Sequence, residues 1–334
     1  MEHETKEIPF DEVLDALLDE TTILNPRYLY RLSDLEGREL KDLAKAWPKI
    51  SERRRQALLE DCESLLEMDY VLSFESISRM AINDPQAKIR APATRILWES
   101  EADDLIPTFI ASSIEDPDAD VRACMATALG RYVYRGELDK LPRKTQTEIE
   151  NRLLEITSSS DEDSVRQRAL ESLGYSSREE IQDLIKAAYH EGSVPWLASA
   201  LFAMGRTADP RWINHVTEQF EHSSPKVRYE AARASGELEA PQAVKGLLEL
   251  LADGDDSVRK AAVWSLSQIG GEGVFDTLEA LMMATEDDDL ADHIDEALDN
   301  LVFTEDRSIF KLFDFDEESF TPILVEEDVE AQED

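Results

Sequence analysis

An apolar residue followed by arginine recurs along this chain at near-constant spacing. The pairs are Ile89–Arg90, Val121–Arg122, Val165–Arg166, Val227–Arg228 and Val258–Arg259. Trp196–Leu197 and Leu290–Ala291 fall in the same register without the arginine. Successive intervals are 32, 44, 31, 31, 31 and 32 residues. A fixed period of this length marks a supersecondary unit that must stack on copies of itself to bury its apolar side.

Each period reads the same way. An apolar helix comes first, as in AVKGLLELLAD (Ala243–Asp253), then an acidic turn whose Asp, Ser or Pro residues cap the next helix. A second helix opens on the apolar–Arg pair and carries alanines on its buried side, which lets neighbouring helices approach closely. Glycine (Gly130, Gly174, Gly205, Gly236 and Gly270) is expected to end it. Only 12 glycines in 334 residues, with 42% hydrophobic and 33% charged residues, suit a helical chain. The expected fold is all-α, a right-handed α-solenoid of about seven stacked helix pairs plus an N-terminal helical cap.

The turns DPDADVR (Asp116–Arg122) and DGDDSVR (Asp253–Arg259) resemble those of the HEAT-repeat family, in the short HEAT-like form first noted in phycobilisome lyases. Tetratricopeptide and ankyrin signatures are absent, although their periods are close. The resemblance covers about Phe74 to Phe303. It implies a ladder tying successive units through Asp and Arg, with Arg90, Arg122, Arg166, Arg228 and Arg259 as its basic side. The ladder is expected to be interrupted at Trp196 and Leu290, where the arginine is missing.

Three regions follow: a helical cap at 1–73, the repeat array at 74–303, and an acidic tail at 304–334. In the cap, Phe10, Val13, Leu14, Leu17 and Leu18 have helical spacing. Ser33-x-x-Glu36 is a capping-box pattern for a helix running to Trp47, where Pro48 ends it. Ser51 caps the next helix, whose period is traced by Ala57, Leu58, Asp61, Leu65 and Met68. The run Arg53–Arg54–Arg55 at its start reads as a solvated first turn. The 44-residue interval holds about 12 extra residues within 131–144, a locally basic stretch that is either a functional loop or an extended helix end packed on its own tyrosines. In the tail, IFKLFDFDEESF is apolar enough to cap the last repeat or to serve as a linear motif.

The formal charge of −39 repels phosphate backbones and anionic lipid, so neither nucleic acid nor a membrane surface is an expected partner. No apolar run approaches the roughly 20 residues a spanning helix needs. Two cysteines, Cys62 and Cys124, form no disulfide framework, and the acidic start lacks the order of a signal peptide, so a cytoplasmic monomer is expected. Chemistry is sparse. Deoxyhypusine hydroxylases, a HEAT-like enzyme family, bind two irons through several His–Glu pairs. Here the repeat region has one, His190–Glu191, so no cofactor or metal is expected. HEAT-like DNA glycosylases need a basic cleft, which this charge opposes. No GxxxxGK, GxSxG or CxxC occurs. The chain reads as a non-enzyme.

In HEAT arrays the second helices line the concave face. Counting from the pair's apolar residue as zero, position six points out of the core: Arg95, Thr127, Glu171, Phe202, Arg233, Trp264 and Glu296. Position two adds Gln167, Tyr229 and Lys260. Phe202, Tyr229, Arg233 and Trp264 are therefore the candidate partner-binding residues, since aromatics and arginine dominate binding hot spots; the opposing reading has Phe202 and Trp264 packed between repeats. Trp98 and Trp212 read as packing residues. The expected function is a scaffold or adaptor holding a protein or peptide. The alternatives are an acidic chaperone or mimic shielding a basic nucleic-acid-binding protein and, more remotely, a metal-dependent HEAT-like enzyme.

Overall fold

The computed structural model describes residues 8–69 and 71–312, with 304–312 as helical backbone only. The described residues are α-helices joined by short turns and 3₁₀ segments, with no strand among them. Contacts divide the chain into two compact units, Met1–Ala240 and Pro241–Asp334.

The first unit opens with α1 (Phe10–Leu18), α2 (Arg27–Tyr30), α3 (Gly37–Ala46) and α4 (Glu52–Met68). Five helix pairs follow. They are α5 (Glu75–Ala81) with α6 (Ala87–Ile96), α7 (Ile106–Glu115) with α8 (Ala119–Glu137), and α9 (Arg143–Thr157) with α10 (Asp163–Leu173). After these come α11 (Glu179–His190) with α12 (Val194–Arg206), then α13 (Ile213–Thr217) with α14 (Pro225–Glu237). The second unit holds two more pairs, α15 (Val244–Leu250) with α16 (Asp256–Ile269) and α17 (Val274–Ala284) with α18 (Asp288–Leu312). Helix α18 runs across the expected start of the acidic tail, and IFKLFDFDEESF otherwise lies outside the described residues.

Within the first unit the second helices α4, α6, α8, α10, α12 and α14 stack in sequence, each on the next. Seven pairs in two α-solenoid stacks account for the seven registers read from the sequence. Every register residue, Ile89 through Leu290, is buried. Sequestering each such side chain contributes on the order of 1.5–3 kcal/mol.

The acidic turns do three jobs at once. Asp116 accepts the backbone N–H of Asp118, and Asp118 caps α8 by accepting from Asp120 and Val121 at 3.0 and 3.3 Å. Asp253 and Asp255 repeat this before α16. Four of the five arginines then donate to the carbonyl six residues back, in the turn after the first helix: Arg90 to Asp84, Arg122 to Asp116, Arg228 to His222 and Arg259 to Asp253, at 2.7–2.9 Å, whereas Arg166 donates to the Thr157 carbonyl at the end of α9, at 3.2 Å. At His222 the imidazole Nδ1 replaces the aspartate and accepts from Ser224.

Arg90 also reaches Asp116, and Arg122 reaches Asp161, each with two hydrogen bonds into the following pair's turn. Arg166 does not continue this. The next turn, HEGSVPW, offers no aspartate, so Arg166 pairs with Asp163 in its own turn and lies over the Trp196 ring at 5.1 Å. Arg259 pairs with Asp256, again within its own turn.

Several expectations are corrected. Ser33 does not cap α3. Its hydroxyl accepts from the Ser73 N–H at 2.9 Å, tying the chain before α3 to the one after α4, and α3 starts from Glu36 without a side-chain cap. Ser51 does cap α4, accepting from Arg54. Of the arginine run only Arg53 is solvated: Arg54 donates to the carbonyls of Asp19 and Thr22, and Arg55 is buried against Asp84 and the Trp47 ring. Helix α4 accordingly buries Arg55, Leu58, Leu59 and Cys62, leaving Ala57, Asp61 and Met68 exposed. Gly130, Gly205 and Gly236 lie inside helices, and only Gly270 ends one with a positive φ, 66°. Gly130, Gly174 and Gly205 serve close approach: a Cβ on Gly174 would stand 2.8 Å from the Ala203 carbonyl oxygen. The 131–144 insertion is an extended helix end. It lengthens α8 to 19 residues, seats Tyr132 fully buried with its hydroxyl donating to Ala102, and pairs Arg131 with Glu101 and Arg135 with Asp103.

Candidate binding surface on the second helices

Position six of the register reads out differently along the first unit. Arg95 is exposed, Thr127 half-buried, Glu171 buried, and Phe202 and Arg233 half-buried. The Phe202 ring is held between two guanidinium groups, Arg206 at 4.1 Å and Arg233 at 4.0 Å from its centre, and Arg206 also covers Tyr175 at 4.5 Å. Arg233 forms ion pairs with Glu230 and Glu237 on its own helix. Tyr229 is half-buried beside them, and burial raises its phenol above the ordinary tyrosine value.

Burial shifts this cluster's acid–base balance. It pushes the Glu171 carboxyl up, against the pull of Arg168 at 2.7 Å, and it lowers Arg206. Arg206 Nε, Arg233 Nη2 and Glu237 Oε2 are buried without a hydrogen-bond partner. Phe202, Tyr229 and Arg233 thus come together as the register implies, with Phe202 and Arg233 engaged in intrachain contacts. In the second unit Trp264 is half-buried on α16, Glu296 is exposed on α18, and Lys260 pairs with Asp289.

The open feature of the first unit lies nearer its start. Helices α4, α6, α8 and α10 line a groove of about 720 Å³. Its apolar surface comes from Leu66, Leu72, Ile96 and Trp98, with Ala123 and Cys124 beside them. Trp98 is 47% exposed, so its assignment as a packing residue is corrected; Trp212, at 1%, is one. Trp98 lies two residues past the end of α6, in the turn that leads to α7. Position six supplies Arg95 and Thr127 to the same groove. Arg95 is held by both carboxylate oxygens of Glu63, at 2.6 and 2.8 Å. Burial raises the Cys124 thiol above its ordinary value, which keeps it protonated and unreactive. The sequence carried a signal for this site in Arg95 and Thr127, but not for Trp98, which is three residues off the row.

Among the described residues no three His, Cys, Asp or Glu side chains converge as metal ligands would, and no helix is long and apolar enough to cross a membrane. His190 ends α11 with its ring edge-on to Tyr189, and Glu191 accepts from the Ser193 N–H.

Residues 213–299 match the family model for HEAT repeats. No curated protein matches the chain. Among solved structures it is similar to the complex of CpcE and CpcF of phycocyanin lyase from Nostoc sp. PCC7120. That likeness has 19% identity and a TM-score of 0.45, over 68% of this chain and 94% of that one. For human deoxyhypusine hydroxylase in complex with glycerol the values are 18% and 0.35, over 80% and 97%. For yeast importin-beta they are 12% and 0.48, over 89% of this chain and 47% of the importin. Residues 213–299 are thus assigned to the HEAT repeats, and paired helices recurring at a similar period precede that segment.

Proposed function

We propose that the chain is a non-enzymatic scaffold that holds a protein or peptide on the faces of its second helices. The observation that carries this reading is the groove under Trp98. An indole nearly half exposed over a recess of about 720 Å³ offers an occupant a large apolar surface. Large aromatics so placed are the anchors of protein interfaces. Phe202, Tyr229 and Arg233 extend the proposed face along the first unit, and Trp264 is its counterpart on the second.

Affinity capture on the immobilised full-length chain, followed by mass spectrometry, tests the reading. Trp98→Ala is expected to lower recovery of the captured partner about tenfold, with an unchanged melting temperature. Phe202→Ala also separates the two readings of the row: lost capture in a folded variant supports contact, whereas unfolding assigns Phe202 to the frame. Capture indifferent to Trp98, Phe202 and Trp264 alike, with every variant folded, would defeat the reading.

A second reading, an acidic chaperone for a basic protein, is favoured by the charge of −39. It predicts capture that weakens steeply with salt.

A further inference from the structure

We propose that the Trp98 groove takes an extended segment of a partner protein in which apolar residues alternate with lysine or arginine. The inference rests on the scaffold reading above and adds the chemistry of the occupant.

The charge balance inside the groove selects that chemistry. Both arginines that line it are already satisfied: Arg95 by Glu63, and Arg168 by the buried Glu171. Two lining carboxylates, Glu67 and Glu99, are exposed and form no ion pair among the described residues. The free charge facing an occupant is therefore negative, although the count of lining acids and bases is nearly even. An acidic segment, a phosphate or a nucleic acid would meet uncompensated carboxylates. A lysine or arginine beside the groove would pair with Glu67 or Glu99.

The apolar half of the requirement comes from Leu66, Leu72, Ile96 and Trp98, which give an aliphatic or aromatic side chain a surface to cover. Met68 and Val71, close to Leu72 in the chain, are 74% and 77% exposed. The length follows from the helices involved. From α4 to α10 are three helix spacings of about 8–10 Å, on the order of 25–30 Å, which matches about eight residues of extended chain. A peptide crossing the helices in that form turns its apolar side chains down into the groove, and its long basic side chains, on the other side, bend back over the rim to reach Glu67 and Glu99.

The probe is a fluorescein-labelled ten-residue peptide alternating lysine and leucine, titrated by anisotropy against the full-length chain. Saturable one-to-one binding is expected. A lysine–serine peptide of equal charge should bind at least about tenfold more weakly, because it lacks the anchors. Trp98→Ala should weaken the lysine–leucine peptide about tenfold. The double substitution Glu67→Gln with Glu99→Gln, which touches only exposed side chains, should weaken it and flatten its salt dependence. Binding to a glutamate–leucine peptide as tight as to the lysine–leucine one overturns the proposal. So does affinity unchanged by all three substitutions, which would move peptide binding elsewhere and leave the scaffold reading standing. A concentration-dependent dimer abolished by Trp98→Ala in sedimentation also overturns it, by assigning the groove to a second copy of the chain. The scaffold reading fails by a different result, capture indifferent to Trp98, Phe202 and Trp264.

Discussion

At the scale of single residues the strongest constraint is Asp84. One carboxylate oxygen accepts from Arg55 and from the Trp47 indole at 2.8 Å, and the other accepts the Gln86 N–H at 2.9 Å. The Asp84 side chain is fully buried and Arg55 is 11% exposed. Asp84→Ala would strand a buried guanidinium and is expected to cost about 3–5 kcal/mol in urea unfolding. Asp42→Ala, which removes the partner of the exposed Arg38 and Lys45, should change stability by no more than about 1 kcal/mol. Glu171 offers a pH test. Burial raises its folded-state value, so the native chain binds this proton more tightly than the unfolded chain does. Its contribution is then full below about pH 4 and is lost as pH rises toward neutral. Glu171→Gln should therefore gain stability relative to the native sequence as pH goes from about 4 to 7, read from urea midpoints; a gap constant with pH would refute the buried assignment. Asp161 has the opposite sign: the Arg122 hydrogen bonds lower it, so its contribution is present at neutral pH and lost in acid. Arg55 escaped the sequence reading because three consecutive arginines look alike. The one that is buried is set by an aspartate 29 residues further on, in another turn.

At the scale of elements the second helices are held by what they lack. Gly130, Gly174, Gly205 and Gly236 all stand nine residues after the register residue, whereas Gly270 stands twelve after it. That difference separates two jobs which the sequence alone merged into one. At Gly130, Gly174 and Gly205 the helices meet at backbone distance. A Cβ on Gly174 would lie 2.8 Å from the oxygen and 3.0 Å from the Cα of Ala203, neither of which can swing aside. Gly174→Ala should cost about 1–3 kcal/mol through this overpacking. Gly270→Ala should cost about 1–2 kcal/mol for a different reason, its left-handed φ, since the nearest atom to its Cβ is 3.7 Å away. Gly254→Ala, with nothing within 4 Å, should stay within about 0.5 kcal/mol. Denaturant midpoints of the three variants check the order. The period, the pairing and the capping turns were legible because each depends on residues close in sequence. The Trp98 groove was not, because its lining is assembled from four helices far apart in the sequence, which no local pattern records.

At the scale of the whole molecule the charge of −39 sets the behaviour in salt. The chain has 74 acidic and 35 basic residues, and arginines are drawn into bridges such as Arg55–Asp84, Arg90–Asp116 and Arg122–Asp161. What remains at the surface is a large excess of carboxylates. At 10 mM salt the screening length is about 30 Å, longer than the 8–10 Å between neighbouring helices, so repulsion acts across several helix pairs at once. At 0.5 M it falls below about 8 Å and only adjacent charges still interact. These bridges are 0–19% exposed at their arginine and aspartate side chains, so salt reaches them far less than it reaches the surface. Repulsion is therefore the term that salt removes, and stability should rise. A gain of about 1–2 kcal/mol would raise the melting temperature by several degrees between 10 mM and 0.5 M sodium chloride, read by circular dichroism. A fall over the same range would mean that surface ion pairs, rather than the alanine and glycine contacts between second helices, hold the stack together. The same titration weakens a lysine-bearing peptide in the Trp98 groove, so folding and binding should respond to salt in opposite directions.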